Sequence, residues 1–304
     1  MEANNQAQED AGGLDASAAP EATPDPWAIG IYEGASPFQF FPHAGVANPV
    51  LTRRDVRDVA ASFIADPFMI HTSDGWHMFF EVMNEGSGKG EIGLATSPDA
   101  LFWTYQKIVL SEPFHLSYPY VFAWQDDYYL MPETLGARCV RLYRAVSFPS
   151  RWSYLGDLVR GLCADPSICY FAGRWWLFTC STPTAHDTLR LHFADELRGR
   201  WFEHPQSPIV AGDVRTARPA GRILVQDNRV IRYAQDCHQR YGHQVRAFEV
   251  CELTPRDYAE KEDARSPVLS ATGAGWNGKG MHHVDPHLTP EGRWLACVDG
   301  HQLP

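Results

Sequence analysis

A chain of 304 residues with 44% hydrophobic content can bury a sizeable core, and no run in it approaches the roughly 18 apolar residues that a membrane helix requires. A formal net charge of −11 lacks the basic footprint of a nucleic-acid binder and suits a neutral partner such as a sugar. The opening Met1-Glu2-Ala3-Asn4-Asn5-Gln6 has neither a basic start nor an apolar stretch, and the seven cysteines include no CxxC pair, so buried free thiols in the cytoplasm are expected.

Residues 1–26 carry six acids, no Lys or Arg, and almost no large apolar side chain. Such a segment cannot bury enough surface to offset its ordering entropy, so it is expected to be a disordered acidic tail preceding a single domain over 27–304.

From Trp27 two kinds of hairpin alternate. The first unit runs Trp27–Tyr32, Phe38–Phe41 and Pro49–Leu51. Asp55–Ile64 is the one stretch with any helical spacing. Asp66–Val82 then shows an X-Pro opening, a short apolar strand, a turn at Asp74-Gly75 and an aromatic strand, Trp76–Glu81. Asp-Gly between two apolar runs is a strong hairpin signal. An alternating strand, Glu91–Thr96, leads to Trp103–Tyr105.

This pair of hairpins recurs. Ser117-Tyr118-Pro119-Tyr120 opens a hairpin ending at Glu133, Ala164-Asp165-Pro166-Ser167 one ending near Ser181, Ala217-Arg218-Pro219-Ala220 one ending at Asp236, and His283-Val284-Asp285-Pro286 one ending at Asp299. Each except the last is followed by an outer hairpin. The unit left over at the N-terminus supplies the missing partner.

Five inner and five outer hairpins, repeating at roughly 50 residues, predict an all-β, five-bladed β-propeller whose last blade is closed by the N-terminal hairpin. A β-sandwich is the alternative, but it leaves the displaced unit unexplained.

In a propeller the start of the innermost strand and the end of the next lie at one end of a hairpin. That geometry gathers Asp66, Glu81, Glu133, Asp165, Asp236 and Asp285 at one channel mouth, offset by Arg218, Arg222, His282 and His283. Crowded carboxylates push their pKa values apart, as acid–base work on a glycosidic bond requires. Asp before Pro is also a common turn starter, and Glu81 and Asp299 fit solvated strand ends as well. His77, His115 and His204 fit surface or packing positions. The Gly-rich run Gly273–Gly280 holds Trp276, which is expected to act as a sugar-stacking platform or lid. Arg218 and Arg222 suit a carboxylate, phosphate or sugar-hydroxyl pair, or serve to neutralise the acidic channel. No cofactor or metal site is expected beyond an ion in the channel.

The set Asp66-Pro67-Phe68, Ser117-Tyr118-Pro119-Tyr120, Glu133, Asp165-Pro166-Ser167, Arg218-Pro219-Ala220-Gly221-Arg222, Gln235-Asp236 and His282-His283-Val284-Asp285-Pro286 resembles the N-terminal domain of plant glucosamine inositolphosphorylceramide transferases. That domain is in turn similar to the five-bladed propellers of arabinanases, β-xylosidases and invertases. The resemblance implies a carbohydrate partner and a glycosidase-like site, or a non-catalytic glycan-binding module accompanying a transferase. The hydrolases place Asp in blades one and two and Glu in blade three. Asp66 matches as base or nucleophile, Tyr118 departs, and Glu133 or Asp165 is left as general acid. Glu81, Tyr118, Arg218, Arg222, Asp236, Trp276, His282, His283 and Asp285 are the expected substrate-binding residues.

Overall fold

The computed structural model describes residues 26–303, so the expected acidic tail falls outside the described residues apart from Pro26. Five antiparallel sheets form the blades of a propeller. From the axis outwards, blade one is Ala61–Thr72, Gly75–Asn84, Lys89–Ser97 and Thr104–Leu110. Blade two is Ser117–Trp124, Asp127–Glu133, Cys139–Ser147 and Arg151–Arg160. Blade three is Ala164–Phe171, Arg174–Cys180 and Thr188–Ala194, edged by Phe202–Glu203 and Val210–Ala211. Blade four has a broken inner strand, Arg218–Pro219 and Leu224–Gln226, then Arg229–Asp236 and Gln244–Leu253, edged by Tyr258–Glu262 and Leu269–Ser270.

Blade five joins the two ends of the chain: Val284–Leu288, Trp294–His301, Trp27–Ser36 and Gln39–Pro42. Trp27 through Gly34 pairs residue by residue with His301 through Trp294. The N-terminal hairpin thus closes the ring and covers what would be an open edge.

Turn chemistry sets the registers. The inner hairpins of blades one to four pair Thr72 with Gly75, Trp124 with Asp127, Phe171 with Arg174 and Gln226 with Arg229, leaving two-residue loops. Those loops need left-handed residues to follow the strand twist. Gln125, Ala172, Gly173, Asp227 and Asn228 within the loops of blades two to four have positive φ, as does Gly75 directly after the loop of blade one. Four apolar clusters lie between blades; the largest packs Phe68 and Phe79 of blade one against Tyr120 and Leu130 of blade two and Ile168 and Trp175 of blade three.

Two expectations are revised. Asp55–Ile64 forms no helix: Thr52 caps a single 3-10 turn, Arg53–Asp55, and Ala61–Thr72 is strand. Pairing of Ala61, Ile64 and Ala65 with Asn84, Val82 and Glu81 overrides the weak helical spacing. All seven cysteines are free, but Cys251 is exposed and Cys237 only half-buried. Among the described residues no helix is long and apolar enough to cross a membrane.

Candidate functional site

Three of the five X-Pro openings share a backbone irregularity. Asp66, Tyr118 and Asp165 stand before proline with φ of 53°, 48° and 48°. A residue before proline is normally extended, and a left-handed tyrosine is uncommon. The strand register slips at the same step in each blade, between Ala65 and Phe68, Ser117 and Tyr120, and Ala164 and Ser167. Bulges of this kind re-aim a side chain next to a site.

Here each bulge also turns its amide towards an acid of the preceding blade. The Asp66 N–H donates to Asp299 Oδ2 (3.1 Å), the Tyr118 N–H to Asp66 Oδ2 (3.2 Å) and the Asp165 N–H to Glu133 Oε2 (2.9 Å). The strained turns are thus held by a relay of carboxylates around the mouth.

The mouth is buried and crowded. Asp66 is held well above the usual carboxylate range by burial, then by the charges of Glu81, Asp165, Asp299 and Glu133. Glu133 is pushed up to about 8 by burial and by Asp165, against the pull of Arg218. Asp165 accepts from Arg218 Nε (2.6 Å) and Nη2 (3.3 Å) and from Gln235 Nε2 (2.7 Å). Arg218 Nη2 also lies 3.8 Å from Glu133 Oε2, and its Nη1 donates to Pro183 O.

Asp299 behaves differently. Burial would raise its pKa, but the His282 imidazole beside it keeps it below the usual range. His282 Nδ1 is 2.8 Å from Asp299 Oδ1, and its backbone N–H donates to the same oxygen. Nε2 is thereby left facing Asp66 Oδ1 at 3.6 Å. On the other flank, the Gly90 N–H donates to His115 Nδ1, so the neutral ring carries its proton on Nε2, 3.2 Å from Glu81 Oε1. The Glu81 carboxylate raises the pKa of His115.

Aromatic rings roof the acids. Trp27 stacks on His282 at 4.1 Å. Tyr241, 42% exposed, lies 5.1 Å from the Arg218 guanidinium, 5.2 Å from the His282 ring and 5.3 Å from that of His186. A metal ion could be held by Asp66, His282 and Asp299, whose donor atoms lie within 4.8 Å of one another. Chemically the mouth offers carboxyls of divided proton affinity, one guanidinium and an aromatic rim.

Residues 21–301 match the family model described as the N-terminal part of glucosamine inositolphosphorylceramide transferase 1. The chain belongs to that family. It is 34% identical over 300 residues to glucosamine inositolphosphorylceramide transferase 1 of Oryza sativa subsp. indica, and 31% identical over 298 residues to that of Arabidopsis thaliana. Each alignment covers 91% of this chain, but the chain spans only about two fifths of the relatives (40% and 39%).

Among solved structures it resembles a putative glycoside hydrolase from Bacteroides ovatus (TM-score 0.60, 10% identity, 83% of this chain and 94% of that one). It also resembles the GH62 α-L-arabinofuranosidase catalytic domain of Coprinopsis cinerea (TM-score 0.56, 12% identity, 91% and 97%). A family 117 glycoside hydrolase from Zobellia galactanivorans is a further match (TM-score 0.52, 16% identity, 78% and 85%). At such identities the likeness is one of fold.

Within this member of the transferase N-terminal family, the expected site residues separate into two levels. Asp66, Glu81, Glu133, Asp165, Arg218 and His282 meet at the mouth. Asp285 and Arg222 do not. Asp285 is fully buried and accepts from Arg222 Nε, from His287 Nε2 (2.9 Å) and from the Met69 N–H (2.6 Å). Despite burial, Arg222 and His287 hold its carboxyl far below the usual range. Arg222 also donates to Met69 O and Val121 O, three residues down the inner strands from the openings. The break in the inner strand of blade four sends Arg218 and Arg222 to different depths. Gly221 sits at that break with φ of 127°, so close to blade five that a Cβ would fall 1.8 Å from Val284 O.

Tyr118 is fully buried: its hydroxyl bonds Ser167 Oγ, Gly221 O and Gly221 N–H across the channel. His283 is also fully buried, edge-on to Phe68 and Tyr118, and burial lowers its pKa to about 4. Asp236 turns into its own blade, pairing with Arg246 (2.7 Å) and Gln244 (2.9 Å). Trp276 is no lid. Its indole fills a slot above Gly30 and Gly300, where a Cβ would fall 2.5 Å from the ring in either case.

The reading of Glu81 and Asp299 as solvated strand ends is corrected, since they are 5% and 0% exposed. The site also takes in Asp299, Tyr241 and Trp27, beyond the residues expected from the sequence. Only Asp299, sharing the end of a hairpin with Asp285, carried a usable signal.

Proposed function

We propose that the propeller acts on a carbohydrate at the acidic mouth, cleaving a glycosidic bond by acid–base catalysis. The observation that carries this reading is the division of proton affinity among neighbouring carboxyls. Glu133 and Asp66 are held above the ordinary range while Asp299 is held below it. Glu133, held above the ordinary range, keeps a proton to donate near neutral pH, and Asp66 acts as base or nucleophile in its ionised form.

Glu133 is the proton donor to the leaving oxygen. Asp165, tied by two contacts to Arg218, fixes that guanidinium beside Glu133. Asp66 is the base or nucleophile; a carboxylate of raised pKa is the stronger base once ionised. The Asp299–His282 pair positions it. Sugar rings stack on the exposed Tyr241.

Because Glu133 acts protonated, the rate should fall as pH rises through about 8. Loss of a positioned acid or base costs roughly 10²–10⁴ in rate. A panel of glycans and aryl glycosides, run on wild type and Asp66→Asn together, tests the reading. Product from wild type alone is expected.

A non-catalytic glycan-binding module is the second reading. It is favoured by Tyr118, which stands where the hydrolases open blade two with an acid and turns its hydroxyl into the channel. Sugar binding by both proteins with product from neither would decide for it.

A further inference from the structure

The groups that would do chemistry at the mouth are closed off from solvent. Asp66, Glu133, Asp165, Asp299 and Arg218 are all buried, none more than 7% exposed. A ligand reaches them only if part of the roof gives way.

Two loops meet over Arg218, and they are fastened very differently. The blade-three loop is tied down at each step. Thr182 Oγ1 donates to Asp187 Oδ1 (2.8 Å) and accepts from the N–H groups of Asp187 and Thr188 (3.2 and 3.1 Å). The His186 N–H donates to Thr182 O (2.7 Å), and Arg218 Nη1 donates to Pro183 O and to His186 Nδ1, both at 2.9 Å.

The blade-four loop, Cys237 to His243, is pinned at its two ends. The Cys237 N–H donates to Val214 O (2.9 Å) and the His238 N–H to Asp236 Oδ1 (3.0 Å). At the other end Gly242 has φ of 66° and packs so tightly that a Cβ on it would fall 2.8 Å from the Trp27 ring. Between these pins His238, Gln239, Arg240 and Tyr241 are exposed. Their one strap is Arg240 Nη1, which donates to Lys279 O (3.1 Å). Among the described residues the Tyr241 hydroxyl bonds no partner, and the ring rests on Arg218, His282 and His186. An exposed ring over a guanidinium is a weak latch, and segments with few buried contacts open first.

We infer that Tyr241 is the gate of the mouth: it turns on Gly242, away from the fixed blade-three loop, to admit a ligand to Glu133 and Asp66. Lids of this kind sequester a reaction from water once they reclose. The inference rests on the mouth being the ligand site.

The test is labelling of the intact chain with a water-soluble carbodiimide and glycinamide at pH 6.5, read site by site by mass spectrometry. Carbodiimide activates the protonated carboxyl, the form Glu133 keeps up to about pH 8. The exposed Asp126 serves as reference and the fully buried Asp285 as a probe of general loosening. Tyr241→Ala should label Glu133 roughly tenfold or more faster than wild type, with Asp285 unchanged. Tyr241→Phe keeps the ring and should match wild type. Equal Glu133 rates in wild type and Tyr241→Ala overturn the gate. If Asp285 also labels in Tyr241→Ala, Arg240→Ala decides, because it cuts the strap and leaves the ring. A faster Glu133 with silent Asp285 in that variant upholds the gate, and any other pattern overturns it. Adding a panel of glycans reads the site separately. Faster labelling in Tyr241→Ala that no glycan slows leaves the gate standing and removes the sugar reading of the mouth.

Discussion

The mouth and the centre of the channel use the same residue types to opposite ends. At the centre, Asp285 is matched by Arg222, His287 and the Met69 amide, and Arg222 also reaches two carbonyls of other blades. Each charge there has its counterpart, and the result is a clamp across four blades. At the mouth, Arg218 is the one guanidinium among Asp66, Glu81, Glu133, Asp165 and Asp299, so protons must supply part of the balance. A buried charge that is fully paired holds a fold together, whereas one left short of partners is available for chemistry.

The largest expected effect breaks that contrast from the structural side. Asp285→Ala strands the Arg222 guanidinium in the channel and should destabilise the domain by about 3–5 kcal/mol. Glu133→Gln removes a carboxyl that is costly to ionise and should leave stability at pH 8 undiminished. Urea unfolding of both variants beside wild type measures the pair. An Asp285→Ala protein as stable as wild type would mean that the clamp is not one.

A subtler effect sharpens the comparison through pH. Glu133 titrates near 8 in the folded chain, against about 4.5 ordinarily, so the folded state keeps its proton after the unfolded state has released it. Stability from this group is therefore full below about pH 4.5 and declines as pH rises to about 8, at a slope approaching 1.4 kcal/mol per unit. Asp66 adds in the same sense, while Asp285 and Asp299, held low, lose their contribution as pH falls below the ordinary carboxylate range. Urea midpoints at pH 5, 6, 7 and 8 should show a shallower decline for Glu133→Gln. Parallel profiles would remove Glu133 from the titrating group.

Much of this fold is written in local chemistry, which is why it is legible without coordinates. The X-Pro steps, two-residue turns and aromatic second strands mark each blade, and the unmatched Trp27 hairpin announces the closure. The convergence of Asp66, Glu133 and Asp165 follows from hairpin ends alone. Depth along the axis does not. Arg218 and Arg222 read as a pair because they are four residues apart, yet the Gly221 break sends one to the mouth and the other to the centre. The Gly-rich run around Trp276 has the composition of a lid, but Gly30 and Gly300, distant in sequence, make the slot that holds the indole. Tyr241 sits in a short polar loop with no periodicity to flag it, and its position over Arg218 depends on three blades meeting.

Asp236 gives the smallest and most discriminating prediction, because hairpin geometry alone would place it at the mouth. Its oxygens are taken by Arg246, Gln244 and the His238 N–H, and these bonds keep its pKa below the usual range in spite of burial. Asn in its place keeps one carbonyl acceptor but loses the charge opposite Arg246, a guanidinium also paired with Glu262. The substitution should cost about 1–2 kcal/mol of stability and leave sugar binding and any turnover within about twofold of wild type. Calorimetric titration with a glycan bound by wild type, beside a urea melt, reads both quantities. A loss of binding as large as that of Asp66→Asn would return Asp236 to the mouth and redraw the boundary between residues that hold the blade and residues that face the ligand.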